Sequence, residues 1–179
     1  MEQATHFIDL GRYLLGEAEI ATVQAVCIPG GTPEGVLLDV PKADDGTPLG
    51  QDVPELYRHP CATAAVWKFK SGLLGSLVHG TLLHGTRYET EIEIWGDGLR
   101  VVFSDPYGNP RLIVRRPGSE ETEQIRPPDD DPYLAEDQVF IQAIRSGSAA
   151  EIRSTYADAM NTFRLSWAIA DSANRTWGS

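Results

Sequence analysis

Apolar positions recur at helical spacing near both ends of the chain and at strand spacing between them, so the order of elements is legible from pattern alone. From Glu2 to about Gly16, Phe7, Leu10 and Leu14 fall on one side of a short amphipathic helix that Gly16 is placed to close. Ile20 to Ile28 is β-branched and apolar enough for a strand, and Pro29-Gly30-Gly31 ends it. Residues 41–60, rich in Pro, Asp and Gly, read as an excursion loop. Strands are then predicted over Ala62–Phe69, Leu73–His84, Tyr88–Trp95, Leu99–Phe103, Arg111–Arg116 and Glu121–Arg126. The connectors Lys70-Ser71-Gly72, Gly96-Asp97-Gly98 and Pro106-Tyr107-Gly108-Asn109-Pro110 supply residues that tolerate a positive φ or fix φ, as tight hairpins require. Such closely spaced strands spell an antiparallel meander. Helix returns at Asp131-Pro132, an N-cap followed by a first-turn proline, with Leu134, Phe140, Ile141 and Ile144 at helical spacing and Gly147 at the end. A last helix from about Ala149 to Asn174 carries Tyr156, Met160, Phe163, Trp167 and Ala170 as one stripe, and Phe163 and Trp167 are expected in the core with Trp67.

The predicted strands differ in how their faces are dressed. Along Tyr88-Glu89-Thr90-Glu91-Ile92-Glu93-Ile94 the glutamates point one way and the isoleucines the other, so one face is wet. Ala62–Phe69 and Leu73–Leu83 are apolar on both sides: Trp67 and Phe69 oppose Ala64 and Val66, while Leu77 and Leu83 oppose Val78 and Leu82. Three helices cover only one face of a sheet of roughly six to eight strands. The expected fold is therefore α+β: a large, mostly antiparallel open sheet with helices packed on one face, the other face serving a homo-oligomer. The competing expectation is that long connections such as 41–60 cover that second face. The length fits a single domain over residues 1–179.

Composition narrows the partners. Fifteen Lys+Arg against 26 Asp+Glu give a net charge of −11. The basic residues are scattered, which argues against nucleic acid or an anionic membrane, because binding phosphates needs clustered cations. A chain that is 41% hydrophobic and 23% charged is too apolar to be disordered. No apolar run approaches the ~18–20 residues of a membrane span, and the N-terminus lacks a signal-peptide pattern, so the cytoplasm is the expected compartment. Cys27 and Cys61 make no disulfide framework and are expected to pack as small apolar side chains. The acids from Glu120 to Asp137, opposed by Arg126 alone, are expected to form a solvated loop feeding a helix N-terminus and not a cation site.

Glu2 and His6 stand four residues apart on the first helix, so a carboxylate and an imidazole share one face, with Asp9 one turn further on. A carboxylate so placed favours the imidazolium and suits His6 to pass a proton near neutral pH, although a lone helical histidine is more often a surface or packing residue. His79-Gly80-Thr81 and His84-Gly85-Thr86 form a near repeat. Their odd separation on a strand points the two rings to opposite faces, so they cannot share a metal, and no Cys or His spacing suits a metal site. No Gly-x-Ser-x-Gly elbow, P-loop or Gly-x-Gly-x-x-Gly fingerprint occurs, so no nucleotide-binding site is expected within these residues.

Several stretches then run in order along nearly the whole chain. They are Glu2-Gln3-Ala4-Thr5-His6 with Asp9-Leu10-x-Arg12-Tyr13-Leu14-x-Gly16-Glu17, Glu91-Ile92-Glu93-Ile94-Trp95-Gly96, Phe140-Ile141-x-Ala143-Ile144-x-Ser146-Gly147, and Ser154-x-Tyr156-x-Asp158-Ala159 with Thr162. In this order they resemble the second half of the glucose–fructose oxidoreductase / inositol dehydrogenase / rhizopine-catabolism (Gfo/Idh/MocA) family. The resemblance implies a C-terminal domain whose open sheet carries helices on one face and oligomerises through the other, normally following a Rossmann domain that binds NAD(P). It also implies that Glu2 and His6 take the two ends of the family's Asp-x-x-x-His motif, which contacts sugar or polyol hydroxyls. His6 thereby becomes the catalytic candidate, as proton carrier or hydroxyl-orienting group, with Glu2 and Gln3 as substrate-binding candidates. Glu in place of Asp at position 2 means a longer side chain must reach the same hydroxyl. The dinucleotide domain and the lysine of the family's Glu-Lys-Pro motif do not occur in this sequence. The chain alone is therefore expected to bind no cofactor and to be inactive; NAD or NADP is expected for the complete enzyme, and a separate Rossmann-domain chain is a candidate partner. The alternative is a non-catalytic oligomerisation or carbohydrate-binding module that pairs with itself or with a full-length relative.

Overall fold

Ten elements follow one another in the computed structural model: α1 (Glu2–Leu15), β1 (Ile20–Ile28), β2 (Ala62–Phe69), β3 (Leu74–Gly80), β4 (Glu91–Trp95), β5 (Arg100–Ser104), β6 (Arg111–Arg115), β7 (Thr122–Ile125), α2 (Pro132–Ser146) and α3 (Tyr156–Trp177). The structure describes residues 2–16, 19–28, 44–45, 62–80, 89–106, 109–126 and 131–177, without the side chains of Glu2, Gln3, Thr176 and Trp177. Most of the expected 41–60 excursion, together with Cys61, Leu82, Leu83, His84 and Tyr88, lies outside those residues. The expected α+β class holds: among the described residues the strands pair antiparallel in a three-stranded ladder, β1-β2-β3, and a four-stranded ladder, β4-β5-β6-β7. No helix of the described residues is long and apolar enough to cross a membrane.

Two units are distinguished, residues 1–87 with 156–179, and residues 88–155. In the first, β2 turns into β3 through Lys70-Ser71-Gly72, where Phe69 N donates to Leu73 O at 2.9 Å and Gly72 takes a φ of 101° that other residues avoid. Strand alternation sends Ala25, Ala65 and Phe69 to one face, where they pack with Ile8 of α1 and Leu165, Ile169 and Ala173 of α3. α3 lies directly on β1: the Ala25 amide donates to Ser172 Oγ at 3.0 Å, and Cys27 Sγ lies 3.9 Å from the Ala173 carbonyl oxygen. Trp67 joins this core from β2, its ring edge-to-face with Phe69 at 6.5 Å.

On the opposite face of this ladder most of the described side chains are exposed. Val26 opposes Ala64 and Ala64 opposes Val78 across the three strands. These side chains, with Val66 and Leu74, are exposed, so β2 and β3 are apolar on both sides as expected.

Both helices of this unit correct the expected stripes. The buried side of α3 is Leu165, Ile169 and Ala173 with Thr162, Ser166 and Ser172, whereas Tyr156, Phe163 and Trp167 are 84%, 53% and 59% exposed. Leu165 and Ile169 fill the space over the small Ala25 and Ala65 of the sheet, so α3 turns its aliphatic side inward and its aromatic side outward. Phe163 and Trp167 are therefore not core residues; they meet each other edge-to-face on the outer side, 5.9 Å apart. In α1 the buried side is Ala4, Ile8 and Arg12, while Leu14 is exposed. α3 also begins later than expected, at Tyr156. Ser154 and Thr155 are residue types that favour helix starts, Asp158 stands in the first turn, and residues 149–152 make a separate turn closed by Ile152 N donating to Ala149 O at 3.0 Å.

In the second unit β4 keeps the expected alternation. Ile92 shares a face with Phe103, Leu112 and Ile125, and Ile94 with Val101 and Val114. Glu93 stands on the other face and accepts from Arg100; hydrogen bonds from Trp95 and Arg100 hold its carboxyl below the usual range. α2 has the predicted caps: Asp131 accepts from the Tyr133 and Leu134 amides at 3.0 Å, and Gly147 closes the helix with φ 67°. Its apolar stripe is present, yet Leu134, Phe140, Ile141 and Ile144 are all exposed and no residue of the helix is buried.

Candidate functional site

Fourteen residues of good helix-forming pattern make α1, and Gly16 with φ 68° ends it, its amide donating to Tyr13 O at 3.3 Å. His6 sits on the exposed side of this helix, between buried Ala4 and buried Ile8 in sequence. Glu2 and Gln3 are on the same first turns, and their side chains lie outside the described residues. Asp9, one turn beyond His6, is half-buried.

What fixes α1 in place is a polar cluster at its other end. Arg12 is 4% exposed, and its Nη2 donates to Asp158 Oδ1 at 2.9 Å while Nη1 donates to Thr162 Oγ1 and, at 3.3 Å, to the Asp158 carbonyl. Thr162 passes the contact on by donating to Asp9 Oδ1, which also lies 3.6 Å from Arg12. A guanidinium brought out of water needs such a set of acceptors, and its planar fork engages two side chains at once. Among the described residues Arg12 Nε has no hydrogen-bond partner. Asp9, Arg12, Asp158 and Thr162 all stand in the stretches that carry the family resemblance, but nothing in periodicity alone joins them; the joining is tertiary. Because Asp9 meets Thr162 and Arg12 meets Asp158, α1 and α3 run antiparallel.

β3 contributes His79, opposite the buried Thr63 of β2. The ring is half-buried, and that burial pulls its pKa below the ordinary value. Burial likewise pushes the free Cys27 thiol up, which suits a small apolar packing residue and not a nucleophile. No group of three or more His, Cys, Asp or Glu that could hold a metal occurs among the described residues. Every described strand pair is antiparallel, whereas a dinucleotide is typically held where a glycine-rich turn leads from a parallel strand into a helix N-terminus.

Comparison with known proteins places this fold. Residues 1–99 match the protein family described as "Putative oxidoreductase C terminal domain". The uncharacterized protein UNK4.17 of Schizosaccharomyces pombe is 37% identical over 172 residues, which is 96% of this chain and 41% of that protein. Among solved structures, levoglucosan dehydrogenase in complex with NADH and levoglucosan is 21% identical with a TM-score of 0.68, over 97% of this chain and 47% of that one. The aldose–aldose oxidoreductase of Caulobacter crescentus, complexed with glycerol, is 17% identical with a TM-score of 0.66, over 96% of this chain and 44% of that one. The chain thus spans less than half the length of these relatives and matches the C-terminal portions of the solved ones. With residues 1–99 matched, the chain belongs to the family of putative oxidoreductase C-terminal domains, and it shares its fold with the C-terminal portions of the solved oxidoreductases.

Proposed function

We propose that these residues are the substrate-holding part of an NAD(P)-dependent oxidoreductase acting on a sugar or polyol. The observation that carries the reading is the family match through α1, combined with the Arg12 cluster that clamps α1 to α3 and leaves His6 exposed. In this reading His6 takes or returns the proton of the reacting hydroxyl at an imidazole nitrogen, and Glu2 and Gln3 hold neighbouring hydroxyls. NAD or NADP is held by a dinucleotide-binding part outside these residues, either in a longer form of the same protein or in a Rossmann-domain partner chain. Levoglucosan dehydrogenase, solved with NADH and levoglucosan, supports both the coenzyme and the substrate class. The exposed apolar face of β1–β3 supports a homo-oligomer, and the exposed apolar residues of α2 and the outer side of α3 support contact with further protein surface. The free thiol of Cys27 agrees with a cytoplasmic setting.

Titrating NADH and NADPH into the purified chain is expected to give no saturable binding in the micromolar range; tight binding by these residues alone would overturn the assignment. In a reconstituted two-part enzyme, His6→Ala is expected to lower turnover by about a hundredfold or more with little change in Tm. Equal losses of activity and stability would return His6 to a packing role. The exposed sheet face also favours a second reading, a non-catalytic assembly or carbohydrate-binding module. A sugar that raises Tm only while His6 is present separates substrate holding from assembly alone.

A further inference from the structure

α3 is apolar on two sides. Leu165, Ile169 and Ala173 join the core on the sheet, while Tyr156, Phe163 and Trp167 make a second, exposed stripe in which Phe163 and Trp167 pack edge-to-face. At about 100° per residue the three aromatics fall within about 40° of one another, opposite Leu165 and Ile169. A helix apolar on one side lies between a core and water; one apolar on two sides is built to lie between two layers. His6 stands on the same outer surface. Arg12 bonds to Asp158 and Thr162, Thr162 bonds to Asp9, and Ile8 shares its core with Leu165 and Ile169, so α1 lies alongside α3 on the sheet. The two helices are antiparallel with Asp9 level with Thr162. His6, one turn back along α1 and exposed, therefore comes level with the next turn of α3, the one that bears Phe163 and Trp167. Neighbouring helix axes lie about 8–10 Å apart, so the histidine and the aromatic pair fit within one footprint.

We propose, resting on the function argued above, that the outer surface of α1 and α3 is the seat of the dinucleotide-binding part, with Phe163 and Trp167 as its anchors. A hydroxyl held at His6 sits on the carbon that must touch the coenzyme, so the protein bearing that coenzyme has to close over the side of α1 that His6 occupies. The aromatic stripe widens that side by one helix, and large aromatics at the centre of an interface carry much of its binding energy. The relatives have a body of suitable size: UNK4.17 and levoglucosan dehydrogenase each hold more than half of their length outside the part this chain matches, and the latter was solved with NADH. A second copy is the competing occupant. Seated here it would cover His6, whereas the exposed apolar side chains of β1-β2-β3 lie on the other side of the sheet, where pairing leaves His6 open.

The probe is the part of UNK4.17 that this chain does not match, loaded with NADH and titrated into the full chain by calorimetry. We expect saturable binding of one probe per chain. Phe163→Glu and Trp167→Ala should each weaken it about thirtyfold or more, with helix content and Tm close to wild type because both side chains are exposed. Val78→Glu, on the far face of the sheet, should leave the affinity unchanged. Association that survives both aromatic variants at full strength overturns the inference, and so does a wild type that does not associate. The proposed function is judged separately, by whether a sugar raises Tm in a His6-dependent way; if it does, that reading stands while this one falls. Light scattering of the chain without the probe supplies the remaining check: Phe163→Glu should not alter the number of copies, and a variant that breaks them apart would assign the stripe to a second copy and overturn the inference.

Discussion

Arg12 illustrates how a residue acquires its meaning from what it meets. In sequence it is one more base on an amphipathic helix; in the fold it is nearly inaccessible and bonded to Asp158 and Thr162. Arg12→Ala should cost about 2–3 kcal/mol in denaturant titrations. That is less than a fully buried pair would lose, because the Asp158 side chain is 38% exposed and water recovers part of its charge. Arg12→Lys should restore only part of this, since an ammonium lacks the fork. His79 gives a pH prediction whose sign follows from its lowered pKa. The unfolded chain binds the proton more tightly than the folded one. Its contribution to stability is therefore complete above the ordinary value of 6.5 and is lost as pH falls from there toward the folded value. Tm measured across that window should fall with acidity in the wild type and fall less in His79→Gln; equal slopes would dismiss the effect. His6 was legible as a candidate because helical spacing and family motif coincide on it, whereas His79 was legible only through its near repeat with His84, whose odd spacing argues against a shared metal.

Element boundaries were readable wherever local chemistry alone sets them. Asp131-Pro132 and Gly147 bracket α2 as expected, and the hairpin at Gly72 lies where its backbone demands it. The sides of the helices were not readable, because side-chain bulk along a chain does not say which side a distant surface will cover. In α3 the sheet is approached through Leu165, Ile169 and Ala173, leaving the larger aromatic stripe outside. Phe163→Ala and Trp167→Ala should accordingly cost about 1 kcal/mol or less each in this chain, well under the ~3–5 kcal/mol of a buried aromatic. Trp67→Ala should approach the latter figure. Within the sheet, Gly75 is held by its neighbour: a Cβ there would fall 2.2 Å from the Trp67 ring. Gly75→Ala is thus expected to lower stability by about 1–3 kcal/mol, read from the denaturation midpoint, and less in a Trp67→Leu background where the ring is gone.

At the scale of the whole molecule, what remains uncovered is as informative as what is packed. Val78 is 87% and Leu74 73% exposed on the same face of β3, beside Val26 and Val66. If that face joins copies of the chain, light scattering should show an oligomer that Val78→Glu and Leu74→Lys dissociate without lowering helix content; a wild type that stays monomeric at high concentration would end the oligomer proposal. The sequence by itself determined the order of elements, the antiparallel pairing, the capped ends of α2 and the family, since each rests on short-range spacing or on motifs read along the chain. Only the tertiary structure decided which side of each helix is inside, that Arg12 locks α1 to α3, and that His79 shares the helix-covered face. Those facts depend on contacts between residues as much as 150 positions apart, as Arg12 and Thr162 are. Periodicity along a chain carries no information about which distant surface small enough, or polar enough, will come to meet it.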